Sequence, residues 1–154
     1  MSDESLETLL DQERRLVFPR FDEDTAWELG GALRAAALAE RLPVAIAIRR
    51  GRQELFHTAL AGASADNDGW LRRKAAVVDR YGHSSYYVGC RFRADGGNFD
   101  TDSRLDTAEY AAHGGAFPLI VAGGGPIGSV AVSGLPQVDD HRFVVTQLER
   151  FLNT

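Results

Sequence analysis

The segment "FPLIVAGGGPIGSVAVSGLP", residues 117–136, constrains the fold more than any other part of the chain. Two apolar runs, Phe117 to Val121 and Ile127 to Val132, flank Gly123, Gly124, Gly125 and Pro126. Short apolar runs on either side of a glycine-proline reversal pair as antiparallel strands. An earlier stretch, "PVAIAIRRGRQELFHTAL", has the same design: residues 44–48 are apolar, Arg50, Gly51 and Arg52 turn the chain, and Leu55 and Phe56 answer on the return. The sequence therefore predicts two hairpins. The GGGP segment lacks both the Gly-Lys-Ser/Thr ending and the strand-to-helix setting of a phosphate cradle, so it is read as a turn. A positive φ is expected at Gly124, where a side chain would cost about 1–2 kcal/mol. Ser133 is preceded by Ala131 and Val132 rather than by the glycine that opens a nucleophile elbow, which argues against a serine hydrolase.

Helices fill the remainder. Ser2 or Asp3 can cap a first helix carrying Leu6, Leu9, Leu10, Glu13 and Leu16, which stops before Pro19. Asp22, Glu23 and Asp24 suit the start of a second, alanine-rich helix whose Gly30 and Gly31 imply close packing against a sheet. A third helix opens at Asp66 or Asn67 and runs through Tyr81, and Ser84 caps a fourth that reaches Arg93 and ends at Gly96 and Gly97. Residues 98–112 read as a long polar loop with a short turn over 106–110. A last helix begins at Pro136 and docks through Val144, Val145, Leu148, Phe151 and Leu152.

At 154 residues and 44% apolar content the chain can bury a core as one domain spanning 1–154. No apolar run approaches the roughly 20 residues that span a bilayer, and the acidic N-terminus is unlike a signal peptide, so neither a membrane nor export is expected. The single cysteine, Cys90, leaves no disulfide and no CxxC motif, which suits a reducing cytoplasm. With 17 basic against 22 acidic residues the net charge is −5, and nucleic acid is not an expected partner. The four histidines, His57, His83, His113 and His141, are far apart in sequence, so no metal site is expected.

Two polar residues fall on apolar helix faces. At about 100° per residue Trp70, Val77, Val78 and Tyr81 share a face, and Lys74 points into its middle while Arg72 and Asp79 point away. An ammonium there either extends its head to water or requires an anion. On the last helix His141 lies over Val145, Leu148 and Leu152, near a positive helix end that favours neutral imidazole. It is either a core histidine or a base. Asp139 and Asp140 suit the helix start. His113 precedes Gly114 and Gly115 just ahead of a strand.

Several stretches, FDEDTAWELG, PVAIAIRRG, NDGWLRRK, RYGHSSYYVG, YAAHGGAFP and VSGLPQVDDH, together resemble uncharacterised protein family 0303, a branch of the haem-degrading-domain superfamily. The resemblance covers almost the whole chain. It implies an α/β (α+β) profilin-like sandwich, with a largely antiparallel sheet of about five strands flanked by helices, and relatives that form homo-oligomers and in some cases bind haem or corrinoid. Relatives that handle external haem are exported, whereas this chain has neither an export signal nor a CxxCH attachment motif. No cofactor is assigned on that basis.

The resemblance also points to the end of the last strand, where amides following Ser133 and Gly134 can receive an anion. A small anionic ligand held by Lys74, His113, Gly114, Gly115, Ser133, Gly134, His141 and Arg49 is the leading functional expectation. An enzyme with His141 as general base and Lys74 stabilising negative charge is the second, and a haem- or corrinoid-related binding protein, as the resemblance implies, or an oligomeric adaptor the third. Homo-oligomers are expected because the edges of so small a sheet need cover.

Overall fold

Alternation of large and small side chains along the strands sets the two faces of the sheet. In β2 (Ala45–Arg50) Ile46 and Ile48 pack into the main core, while Ala45 and Ala47 face the opposite way. The same period of two recurs in β5 (Gly125–Ser133), where Val130 and Val132 join the main core and Ala131 lies on the small-residue face. β4 (Ala116–Val121) repeats it with Phe117 and Leu119 against Ala116. One face thus buries bulky residues, and the other is shallow enough for a helix to approach closely.

The computed structural model describes residues 4–153. Its sheet has the order β1-β4-β5-β2-β3, with β1 (Val17–Phe18) parallel to β4 and every other pair antiparallel. β3 (Gln53–Ala59) forms one edge. Around this mixed α/β open sheet lie α1 (Leu6–Arg15), α2 (Glu23–Ala39), α3 (Ala65–Tyr81), α4 (Ser85–Ala94), α5 (Phe99–Asp102) and α6 (Gln137–Leu152). Helices α2 and α6 cover the bulky face through Leu29, Leu33, Val144 and Leu148, and α3 covers the alanine face through Leu71 and Val78. This is the five-stranded, mostly antiparallel architecture that the resemblance implied. Among the described residues no helix is long and apolar enough to cross a membrane.

Both hairpins form where expected. Gly30 does make a close approach, since a Cβ there would come within 2.4 Å of the Phe56 ring on β3. Helix starts differ in detail. Ser2 and Asp3 lie outside the described residues, and within them Ser5 caps α1 by accepting the Thr8 N–H. Ser64, rather than Asp66 or Asn67, precedes α3, and its N–H donates to Asn67 Oδ1 at 2.9 Å. Pro136 occupies the cap of α6 instead of its first turn.

Two elements have little sequence signal. β1 has only two residues, too short for periodicity to show, and is held by pairing with β4. The expected loop over 98–112 contains α5, because Asn98 caps it and Phe99 is buried against Val77, Val88 and Ala112.

The GGGP turn corrects one backbone expectation. Positive φ falls on Gly123 (76°) and Gly125 (71°), not on Gly124, and a Cβ on Gly124 would meet nothing nearer than 3.8 Å. Gly123→Ala or Gly125→Ala should therefore cost about 1–2 kcal/mol, while Gly124→Ala should stay within about 0.5 kcal/mol of the parent. Urea denaturation of the three variants measures the difference.

Candidate functional site

Lys74 reaches from α3 onto the alanine face of the sheet and ends between β5 and α6. It is only 3% exposed. Its Nζ donates to the Val132 carbonyl at 3.1 Å and to Asp140 Oδ2 at 3.2 Å. An ammonium has three donors, so these bonds leave one for a further partner. Asp140, at 1% exposure, also accepts the Gly134 N–H on Oδ2 at 3.3 Å and the Leu135 N–H on Oδ1 at 3.1 Å. The amides expected to receive an external anion therefore hold the chain's own carboxylate. Lys74 does not carry its head to water, and its partner is one of the two acids that suited a helix start.

Glycine makes this seat sterically accessible. Gly115 has φ 137°, and a Cβ there would come within 2.3 Å of the Val132 carbonyl oxygen and 2.7 Å of Lys74 Nζ. Gly134 has φ 150°, and its Cβ would lie 2.3 Å from the Pro43 carbonyl oxygen. Burial lowers the affinity of Lys74 for its proton and raises that of Asp140, and the opposite charge of each partner acts against both shifts.

A cavity of about 260 Å³ opens onto this pair, lined by Asn67, Trp70, Lys74, His113, Ser133 and Asp140, with Gly134, Leu135 and Gln137 at the start of α6. Asn67 Nδ2 donates to Ser133 Oγ at 3.1 Å while Oδ1 accepts from Ser64, which fixes the amide at both ends. The His113 ring meets Trp70 edge to face at 5.1 Å, and the Arg73 guanidinium lies over the same indole at 4.2 Å. Burial, followed by the positive charge of Lys74, pushes His113 below its ordinary range, so the imidazole is neutral near pH 7. Gly114 stands behind the cavity wall and donates its N–H to Gln137 Oε1 at 3.0 Å. The cavity thus presents fixed amides, a hydroxyl, a neutral imidazole and an internally compensated ion pair beside one aromatic wall.

Lys74, His113, Ser133 and Gly134 line this cavity together, with Gly114 and Gly115 immediately behind them. His141 and Arg49 do not line it. Adjacent residues on a helix point about 100° apart, and His141 faces α1 and α4. Its Nε2 lies 2.8 Å from Gln12 Oε1, and the ring packs between Tyr86 at 5.0 Å and Phe117 at 6.2 Å. Nδ1 is buried without a hydrogen bond. The His141 pKa falls to about 4, chiefly through burial and then the Arg142 charge, rather than through the expected helix-end effect. Arg49 shares the alanine face but pairs with Ser129, whereas Ser133 pairs with Ala45. At about 3.3 Å per residue this puts Arg49 about 13 Å along the strand, in a second cleft of about 350 Å³ with Glu54, His57, Asp68 and Arg72. Asn67, Trp70, Gln137 and Asp140 were not anticipated as site residues. The available signal was the demand for a counter-charge at Lys74, which chain order alone does not assign to Asp140.

Asp140→Ala is expected to cost about 3–5 kcal/mol by leaving a buried ammonium unpaired. Lys74→Met combined with Asp140→Ala should cost less than the sum of the single changes, and a denaturation cycle over the four proteins reads the coupling. His141 gives a pH signature. The unfolded ring binds a proton below about 6.5, whereas the folded ring waits until about 4. Its contribution to stability is therefore complete above pH 6.5 and lost as pH falls toward 4, by about 3 kcal/mol at full extent. His141→Gln should remove that part of the acid dependence, measured by melting between those pH values.

The family model described as "Haem degrading protein HbpS-like" matches residues 21–149. A UPF0303 protein of Streptomyces coelicolor is 59% identical over 144 residues, covering 94% of this chain and 91% of the relative. Among solved structures, Ybr137w protein is 34% identical with a TM-score of 0.90, over 99% of this chain and 90% of its own. A structure described as a PduOC:Heme complex has a TM-score of 0.69 at 17% identity, covering 86% of this chain and 94% of its own, a likeness of fold. With matches of this extent, the chain belongs to the HbpS-like haem-degrading protein family, among its UPF0303 members.

Proposed function

We propose that this protein is a small-molecule-binding domain whose ligand enters the cavity at the β5–α6 junction and brings an oxygen to the third donor of Lys74. The observation that carries this is the buried Lys74–Asp140 pair opening onto a preformed cavity of about 260 Å³. Such a volume lies just below the usual ~300–1,000 Å³ of ligand pockets and favours a compact molecule. Since Asp140 already fills the amides at 134 and 135, the ligand is recognised less by negative charge there than by hydrogen bonds from Lys74, Asn67 and Ser133 and by contact with Trp70.

Haem, bound in the PduOC complex, does not fit this cavity. A macrocycle needs a large apolar slot, whereas this space is about 260 Å³ and is lined by Asn67, Lys74, Ser133 and Asp140. His113 faces the small polar cavity. Homo-oligomerisation is supported by a separate observation. Trp27 is 70% and Leu38 52% exposed on α2, next to the edge strand β3 that Trp27 reaches through Phe56. A second copy of this chain would cover both.

Native mass spectrometry of freshly purified protein tests the binding proposal. A retained small molecule should be lost from His113→Ala and from Asn67→Ala and kept by Arg49→Ala, whose side chain lies in the other cleft. Retention unaffected by the first two changes would overturn the assignment of the cavity. Light scattering at micromolar concentration should give more than the monomer mass, lowered by Trp27→Glu.

A further inference from the structure

Lys74 is the only lysine in the chain; the other 16 of its 17 basic residues are arginines. Arginine serves the surface ion pairs, for example with Glu7, Asp11, Glu23 and Asp95. The one amine side chain is buried, lines a cavity and touches a buried carboxylate. What an amine can do and a guanidinium cannot is give up its proton and attack carbon, because arginine stays charged throughout the accessible pH range.

We propose that Lys74 forms a reversible imine with a small aldehyde or ketone bound in this cavity, with Asp140 as the proton carrier. The inference rests on the cavity being a ligand site. Asp140 Oδ2, 3.2 Å from Nζ, takes a proton from the ammonium and frees the nitrogen lone pair. Nζ then bonds to the carbonyl carbon, the carbonyl π pair moves to oxygen, and a second nitrogen proton neutralises that oxygen to give a carbinolamine. Asp140 returns its proton to the hydroxyl, the C–O bond breaks, and water leaves as the nitrogen lone pair forms the C=N bond. Ammonium, carboxylate and carbonyl compound thus become iminium, carboxylate and water, with no net change in charge and no external oxidant or reductant.

Three features suit this step. Burial disfavours the charged forms of both partners, which narrows the gap between the ion pair and the neutral amine with carboxylic acid. The bare backbone of Gly115 leaves room beside Nζ, where a Cβ would stand 2.7 Å away. Trp70 and Leu135 give the cavity an apolar wall against which a short carbon chain can lie beside Nζ.

The sole-lysine composition makes the test unambiguous, because the α-amino group is the only competing primary amine. The full-length protein is incubated separately with propionaldehyde, pyruvate and lactate, each with cyanoborohydride, and the label is located by peptide mapping. Lactate shares the carboxylate of pyruvate but has no carbonyl. Expected is a reduced adduct on Lys74 with propionaldehyde or pyruvate, exceeding the α-amino label by about tenfold or more, and none with lactate. Asp140→Asn should slow trapping by about 10²-fold or more, as loss of a general acid–base does. Lys74→Arg should abolish the internal label, with circular dichroism reporting whether it folds, although the map on the parent protein decides the question without that variant. Label confined to the α-amino group overturns the imine and assigns Lys74 to a structural ion pair. If pyruvate and lactate nevertheless raise the melting temperature alike, non-covalent binding stands while the imine falls. Absence of both label and thermal shift overturns the imine, and leaves the cavity assignment to the native-mass test.

Discussion

The contact between Lys74 and Asp140 ties together the three elements that enclose the cavity. Through Lys74 it fixes α3, through the Val132 carbonyl the end of β5, and through Asp140 both the first turns of α6 and the amides of the connecting segment. A buried ion pair contributes little net stability, since the loss of hydration offsets most of the attraction. Its effect is on geometry. Each partner is held by further hydrogen bonds, so the charges cannot separate without also breaking bonds to the Val132 carbonyl or to the amides at 134 and 135.

The sheet makes that contact possible. Alanines at 45, 47, 116 and 131 on one face let α3 sit close to the strands, so a lysine of ordinary length can reach the carbonyl of Val132. On the opposite face valine, isoleucine, leucine and phenylalanine supply the apolar burial that stabilises the fold. One face therefore holds the domain together and the other carries polar chemistry.

Much of the architecture was legible because hairpins, caps and helical stripes are local signals. The two glycine reversals and the apolar stripe of α6 appear within short windows, and α5 and β1 escaped because each depends on a tertiary contact of one or two residues. At the site, helical spacing identified Lys74 as misplaced among apolar neighbours, and the resemblance grouped Gly114 and Gly115 with Ser133 and Gly134, which the structure brings to one place in the fold. Neither separated Asp140 from His141. One step of helix rotation sends the first to Lys74 and the second to Gln12 on α1, whose position in space is not encoded near residue 141. Arg49 shares the face of the sheet that carries the site, but strand register places it too far along.

β1 has only two residues, yet it sets how much of the sheet's far border is left open. By pairing with Ile120 and Val121 it occupies the outer side of β4 near the GGGP turn, while among the described residues β3 is bordered by β2 alone along its seven residues. The longest open edge is therefore β3. If two copies joined there, the operation would be two-fold and would use up both β3 strands, so extension through this strand closes at a pair.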